Sequence, residues 1–441
     1  MTTSSVTLEN MLEAREKRAA RQRALLEMHG LPLICLTMNI AGEKKRSGLI
    51  DFTFYEGVRR VLRMGEPVFF EVVRAKTGME GYFVFSSEAA FLKRLCVEAE
   101  ERDEIGRLFD LDVLGADGNK LSRNAPRRCL LCQDDAAACA RSRAHGLEAV
   151  EKKTNELLRS FAARAHAYAA CGALLNEVWT TPKPGLVDRN NCGAHSDMTV
   201  TTFELSANAL ASYFKFCFET GAAEAGKPAS RMIARLRKRG ILAEKEMLLS
   251  TGNVNTHKGM VYTLGLLLAG RGIALAAGGD FFAHASALAK NDLPEEFRRA
   301  AQTPLTHGEH VYARFGVKGI RGEAENGFLS ARRACAQLKF YEARGHSQND
   351  AGVLTLLQTM SELQDTNLLH RGGHAGLAYA QHRAREINCL PESERISAAL
   401  RLDADFIARN LSPGGSADIL ATAYFLKALE ELELAGEEND R

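Results

Sequence analysis

Hydrophobic positions along this chain change their period once, and the change divides it. Up to about residue 150, apolar runs of strand length, Leu31 to Met38, Pro67 to Val73 and Tyr82 to Phe85, are interleaved with stretches whose apolar residues recur at steps of three and four. The runs predict strands and the stretches predict helices over 8–28, 52–62 and 88–100, an α+β arrangement. Within Gly106–Arg123, Phe109, Leu111 and Val113 alternate with Asp110 and Asp112, which puts both carboxylates on one face of a further strand that runs into a turn at Asp117-Gly118. Beyond residue 155 period-two alternation nearly vanishes. Helical stripes recur at Met232 to Leu242, His257 to Leu268, Phe281 to Ala289, Arg332 to Tyr341, Leu354 to Leu363 and Ile419 to Leu429, so the remainder reads as all-α. Gly146 is the only breaker before the charged helical run Leu147 to Phe161, and the boundary is expected near 146–155. The chain is thus multidomain: an N-terminal α+β domain over 1–150 followed by an all-α helical domain over 151–441.

Composition narrows this little. The 441 residues are 46% hydrophobic and 25% charged with a formal net charge of +2, an ordinary globular balance whose bulk charge favours neither nucleic acid nor membrane. The N-terminus has no apolar signal region, and the most apolar run, Val261 to Ala269, is about half the length that spans a bilayer, so a cytoplasmic protein is expected. The 10 cysteines then read as reduced thiols or metal ligands rather than a disulfide framework. Helix 8–28 carries Arg15, Lys17, Arg18, Arg21 and Arg23, either a solvated face or a docking surface for an acidic partner.

Candidate chemistry concentrates in loops. Thr180 to Met198 combines Pro182 and Pro184, which stiffen the chain, with Lys183, Asp188, Arg189, His195 and Asp197, and a helix stripe follows from Val200 with Asp197 in the N-cap position. Asp197 either caps that helix or helps hold a phosphate at its start. Thr251 to Gly259 places Thr256 as N-cap, with Asn255 before it and His257 and Lys258 in the first turn, a ready anion site. Further polar connections bring His307, Glu309, Arg321 and Glu323; Asp365, Asn367, His370 and Arg371; and Ser412, Gly414, Gly415, Ser416 and Asp418. Each alone reads as a capped helix start, but together they suggest a shared cavity for a phosphorylated ligand. No GxxxxGK[ST] is present, so ATP would be bound without a P-loop. In the first domain Asp110 and Asp112 suit Mg²⁺ held against phosphates, or simply form the wet face of a strand; Arg107, Arg123, Arg127 and Arg128 crowd the same region. Cys129, Cys132, Cys139 and His145 stand in C-x2-C-x6-C-x5-H spacing, which admits tetrahedral Zn²⁺ or plain thiols; a separation of six would place Cys139 and His145 on opposed faces unless the helix ends between them. No H-x-E precedes the cysteines, which excludes a zinc deaminase.

The segments PKPGLVDRNNCGAHSDM, NTHKGMVYTLGLL, GIRGEAENGF, DTNLLHRGG and NLSPGGSADIL resemble triphosphoribosyl-dephospho-CoA synthase over about 155–435. TMNIAGEKKRSG, GRLFDLDVLG, RRCLLC and CARSRAH resemble holo-citrate lyase synthase, the phosphoribosyl-dephospho-CoA transferase, over about 10–148. The resemblance implies a bifunctional transferase. Its helical domain would join ATP and 3′-dephospho-CoA with release of adenine, and its first domain would pass the product to a serine of the citrate lyase acyl carrier protein with release of pyrophosphate. It implies Asp188, His195 and Asp197 for the base and Mg²⁺, His257, Lys258 and Arg321 for phosphates, and Gly414, Gly415 and Asp418 for a nucleotide contact. Asp110 and Asp112 would hold Mg²⁺ in the first domain. Ser196, Asn253 and His374 depart from the resembled pattern and put local ligand contacts in question. The parallel malonate decarboxylase pathway and a non-catalytic nucleotide-binding scaffold are the alternatives.

Overall fold

Alternation dictates how the first sheet is covered. The structure, a computed structural model, describes residues 5–302 and 307–434. Its first elements are α1 (Leu8–His29), β1 (Leu33–Met38), α2 (Gly48–Leu62), β2 (Phe69–Ala75), β3 (Gly78–Val84), α3 (Ala89–Glu101), β4 (Phe109–Leu114) and α4 (Ala136–Ser142). The strands form one antiparallel sheet in the order β2-β3-β1-β4. Ile34, Leu36, Phe83, Phe109, Leu111 and Val113 bury one face against Phe54 and Val58 of α2 and Leu92 and Cys96 of α3. Leu33, Cys35, Tyr82 and Val84 bury the other against Leu25 and Leu26 of α1. Each such side chain contributes about 1.5–3 kcal/mol. Asp110 and Asp112 pair in register with Thr37 and Cys35 and share the second face. Two basic residues of α1 find their acidic partners in the sheet itself: Arg18 donates to Glu80 at 2.8 Å and Arg21 to Glu71 at 2.7 Å.

Helices make up the rest: α5 (Leu147–Trp179), α6 (Val200–Ala223), α7 (Ala229–Ser250), α8 (Lys258–Ala277), α9 (Phe281–Gln302), α10 (His307–Phe315), α11 (Ile320–Glu325), α12 (Leu329–Ala343), α13 (Gln348–Glu362), α14 (Thr366–Asn388), α15 (Glu392–Ala408) and α16 (Gly414–Leu434). The chain forms two units. One runs to Ala162 and takes in Leu275–Gly278 and residues from Glu431; the other comprises Ala163–Ala274 and Gly279–Glu430. The parting falls inside α5 rather than near 146–155, because Leu157 and Leu158 bury with Ile40, Ile50, Ile105 and Leu108. Helix α8 has the length and mean hydropathy, 1.6, to cross a bilayer, yet 72% of its apolar window is buried. Leu264, Leu267 and Leu268 are wholly inaccessible, as in a core helix.

Two helix starts differ from expectation. Helix α6 begins at Val200, capped by Thr199, whose hydroxyl accepts from Thr202 N–H at 3.3 Å while the Thr202 hydroxyl accepts from Thr199 N–H at 2.8 Å. Asp197 is thereby released from capping. Thr256 does not cap α8 either: its hydroxyl is buried without a hydrogen-bond partner.

Candidate active site

Loop 180–199 is folded by carboxylates. Buried Asp188 accepts from the backbone N–H of Lys183 at 2.8 Å, Asn190 at 2.7 Å and Asn191 at 3.2 Å. Burial raises its carboxyl pKa and these bonds pull it back. Asp188, expected as base or Mg²⁺ ligand, has its oxygens engaged in building the loop and is not among the residues that line the cavity described below. Asp403 of α15 clamps the same loop, accepting from Gly185 N–H at 2.8 Å and from the Asn191 side chain at 2.7 Å. Gly185 has φ 70° and sits so near the Leu411 carbonyl that no Cβ fits. Arg189 is exposed, its guanidinium 5.9 Å from the Trp179 ring centre, and it too is off the wall.

The helical unit contains an open cavity of about 2330 Å³, lined among others by Glu177, Lys183, His195, Asp197, His257 and Asp418. Asn255, Thr256, Lys258, Arg321, Glu323, Asp365, Arg371, Gly414 and Gly415 also reach it, so the loops that looked alike in sequence do converge. His195 donates or accepts at Ser412 Oγ, 2.9 Å, and its Nδ1 lies 3.2 Å from the Arg371 guanidinium. Burial, then Arg371, lowers its pKa, so the ring is neutral. His257 Nδ1 bonds Ser206 Oγ at 2.7 Å and its Nε2 is buried with no partner. Burial, then Lys183, pushes His257 down to about 3, which makes it a hydrogen-bonding group rather than a proton acceptor near neutrality. Unpaired buried polar atoms are costly, and two at the cavity wall, Thr256 Oγ1 and His257 Nε2, are what a polar ligand would satisfy.

Asp418 lies near enough to two other carboxylates, Glu177 and Asp365, to be repelled by both. Glu177 is buried and ion-paired to Lys183, itself 1% exposed, so the lysine expected to bind substrate is committed to an internal charge. Asp365 caps α14 through Asn367 N–H at 2.9 Å and Leu368 N–H at 3.2 Å, and ties in α16 through Ser416 N–H at 2.7 Å and Oγ at 2.9 Å. Ser416, expected to bind substrate, makes this joint and is not among the residues lining the cavity. Among the described residues Asp418 has no hydrogen-bond donor to its carboxylate. Burial, then Glu177 and Asp365, hold its pKa well above the usual carboxylate range. Of the remaining candidates, Lys258 pairs with Glu244 at 3.1 Å, Arg321 lies 5.7 Å from the Tyr262 ring centre, and Glu323 accepts from Ser330 N–H at 3.1 Å. The side chain of His307 lies outside the described residues. Glu177 and Asp403 escaped the sequence reading because each is an acid inside a helical segment, with no turn residues beside it to mark it.

In the α+β unit Asp110 lies 3.3 Å from Arg127 and Asp112 lies 2.6 Å from Lys120. Arg127 also bonds buried Glu100 and the Phe109 carbonyl, Arg123 bonds Glu101 at 2.7 Å, and Arg107 donates to the Arg128 carbonyl at 2.6 Å. Among the described residues Arg128 is the one of the four arginines whose side chain is unpaired. Cys129, Cys132, Cys139 and His145 bring their ligand atoms within 4.8 Å of one another.

Comparison with known proteins divides the chain similarly. Residues 6–161 match the family described as apo-citrate lyase phosphoribosyl-dephospho-CoA transferase, and residues 163–436 that described as ATP:dephospho-CoA triphosphoribosyl transferase. A CitXG protein of Haemophilus influenzae is 35% identical, with 96% of each chain covered. A second, from Leuconostoc mesenteroides subsp. cremoris, is 33% identical over 96% of this chain and 97% of its own. The 2-(5''-triphosphoribosyl)-3'-dephosphocoenzyme-A synthase of Pectobacterium atrosepticum is 39% identical over 58% of this chain and 85% of its own.

Proposed function

The chain belongs to the CitXG family, and on that premise we propose that its two units make and then attach the prosthetic group of citrate lyase. In the helical unit, the ribose 2′-hydroxyl of 3′-dephospho-CoA attacks C1′ of the ATP ribose and adenine leaves, its triphosphate kept on the transferred sugar. The observation that carries this is Asp418, a half-buried carboxylate without a donor among the described residues, on the wall of a cavity large enough for two nucleotides. Single-ligand sites occupy about 300–1,000 Å³, and this one exceeds that range. A carboxyl whose pKa is raised well above the usual carboxylate range is suited to take the 2′-hydroxyl proton. His257 Nε2 and Thr256 Oγ1 offer the bonds that orient substrate, and Lys258, Arg321 and Arg371 supply positive charge for phosphates.

Mg²⁺ fits Asp197, an exposed carboxylate on the cavity wall that is freed from capping, since this ion is bound through one or two carboxylates together with substrate phosphates. When bound it would neutralise triphosphate charge. Purified protein given ATP, dephospho-CoA and Mg²⁺ should release adenine. Adenine release that does not depend on dephospho-CoA would overturn the reading and would also distinguish turnover from a scaffold that only binds.

In the α+β unit, the carrier serine attacks the α-phosphorus of that product, a phosphodiester forms and pyrophosphate leaves. Asp110 and Asp112 share one strand face and are balanced there by cationic side chains, charge that Mg²⁺ can replace to stabilise the leaving pyrophosphate. Unpaired Arg128 is the guanidinium free to meet a phosphate. The match of residues 6–161 supports citrate lyase, rather than malonate decarboxylase, as the source of the carrier.

A further inference from the structure

We propose that Cys129, Cys132, Cys139 and His145 bind one structural Zn²⁺ that holds segment 126–145 of the α+β unit in place. Sγ of Cys132 lies 3.5 Å from Sγ of Cys139 and 3.2 Å from Nε2 of His145, and all four ligand atoms fall within 4.8 Å of one another. Tetrahedral Zn²⁺, with bonds of about 2.3 Å to sulfur and about 2.0–2.1 Å to nitrogen, needs ligand separations of roughly 3.5–3.8 Å. Small adjustments reach that geometry.

The backbone is shaped for the same purpose. Leu131 N–H approaches Cys129 Sγ at 3.5 Å, and Gln133 takes φ 69°, folding the C-x2-C pair into a tight reversal. Ala136 N–H then returns to the Arg127 carbonyl at 2.8 Å. Asp135 caps α4 through Ala137 N–H at 2.7 Å, and Arg143, in the left-handed region at φ 51°, stops the helix at Ser142. The helix ends between Cys139 and His145, so the opposed-face objection raised by their spacing does not apply.

Packing explains little of this order, because α4 buries no residue and the core contacts of the segment are those of buried Cys129 and half-buried Leu130. A short segment with so little core needs a staple, and three thiolates with a neutral imidazole supply one, releasing three thiol protons as the metal binds. The consequence reaches the phosphate chemistry. The stapled segment carries Arg127 to Asp110 at 3.3 Å and presents Arg128, while its Arg128 carbonyl receives Arg107 at 2.6 Å.

Metal analysis of the full-length chain from zinc-replete medium should find one zinc per chain. Replacement by Co²⁺ should give thiolate-to-cobalt charge-transfer and tetrahedral d–d bands, a readout independent of any variant's folding. Cys132→Ser and Cys139→Ser should lose the metal, while Cys389→Ser, at an exposed cysteine elsewhere, should keep it. Stripping zinc with Mg²⁺ resupplied should reduce carrier modification at least tenfold and leave adenine release unchanged. Protein that holds no zinc after dialysis and gives no tetrahedral cobalt spectrum would overturn the proposal, as would a Cys132–Cys139 disulfide in metal-free, fully active protein.

Discussion

The guanidinium of Arg371 donates to Nδ1 of His195 at 3.2 Å. Arginine has no lone pair with which to accept, so Nδ1 is the unprotonated nitrogen and Nε2–H donates to Ser412 Oγ at 2.9 Å. Both nitrogens are occupied, which makes His195 a neutral positioning group rather than the base. Its depressed pKa has burial as first cause and Arg371 as second. Arg371→Met should therefore raise the His195 pKa, read from the imidazole resonance in an NMR titration, and lower adenine release. The unfolded chain takes this proton more readily than the folded one, so stability falls as pH drops through the unfolded value of about 6.5. The variant should lessen that loss; an unchanged titration would sink the assignment.

Asp418 carries the opposite sign. Its raised pKa means that the folded chain holds the proton more tightly than the unfolded chain. The carboxyl thus favours folding below the unfolded pKa of about 3.9, and that contribution is lost as pH rises through the folded value. At neutral pH Asp418→Asn should raise the melting temperature by a few degrees, at about 2–4 °C per kcal/mol for a domain of roughly this size. The same variant should lower adenine release by at least about a hundredfold if Asp418 is the base. A destabilised variant with wild-type turnover would contradict both halves.

How much of this was legible in sequence depends on what each residue answers to. The sheet and the helical stripes follow from local periodicity, and β4 shows it: Phe109, Leu111 and Val113 are buried while Asp110 and Asp112 are not. Convergence of the polar loops was legible as a pattern, since His195, His257, Arg371 and Asp418 do reach one cavity. Partnership was not. Asp188 and Asp197 look equivalent in the sequence, yet Asp188 is consumed by three backbone donors and Asp197 by none, a difference fixed by how loop 180–199 turns. Lys183 reads in sequence as a substrate-binding candidate, because Glu177, six residues back on a helix, gives no sign that it pairs with it.

That buried pair makes its own prediction. Removing one partner of a buried ion pair leaves an uncompensated charge and costs about 3–5 kcal/mol. Lys183→Met should destabilise the chain by that order, since Glu177 would then face Asp188 and Asp418 without its cation. The double variant Lys183→Met, Glu177→Gln should recover most of the loss in denaturant unfolding. No recovery would show that Lys183 acts through something other than Glu177.

The Asp-x-Asp strand gives the sharpest separation of structure from chemistry. Asp110 and Asp112 are partly exposed and paired with Arg127 and Lys120, and such surface pairs contribute about 0–1 kcal/mol. If pairing were their whole role, Asp110→Asn and Asp112→Asn would unfold at nearly the wild-type denaturant concentration and still modify the carrier. If they hold Mg²⁺ against the triphosphate, each substitution removes a hard anionic ligand while keeping size and hydrogen bonding, and transfer to the apo carrier protein should fall by orders of magnitude. Adenine release belongs to the other unit and should not change. The measurement is phosphoribosyl-dephospho-CoA transfer from pre-made precursor, followed by the mass of the carrier. Near-wild-type transfer by both variants would refute the metal assignment and leave Arg128, the unpaired cation beside that strand, as the group that meets the phosphates.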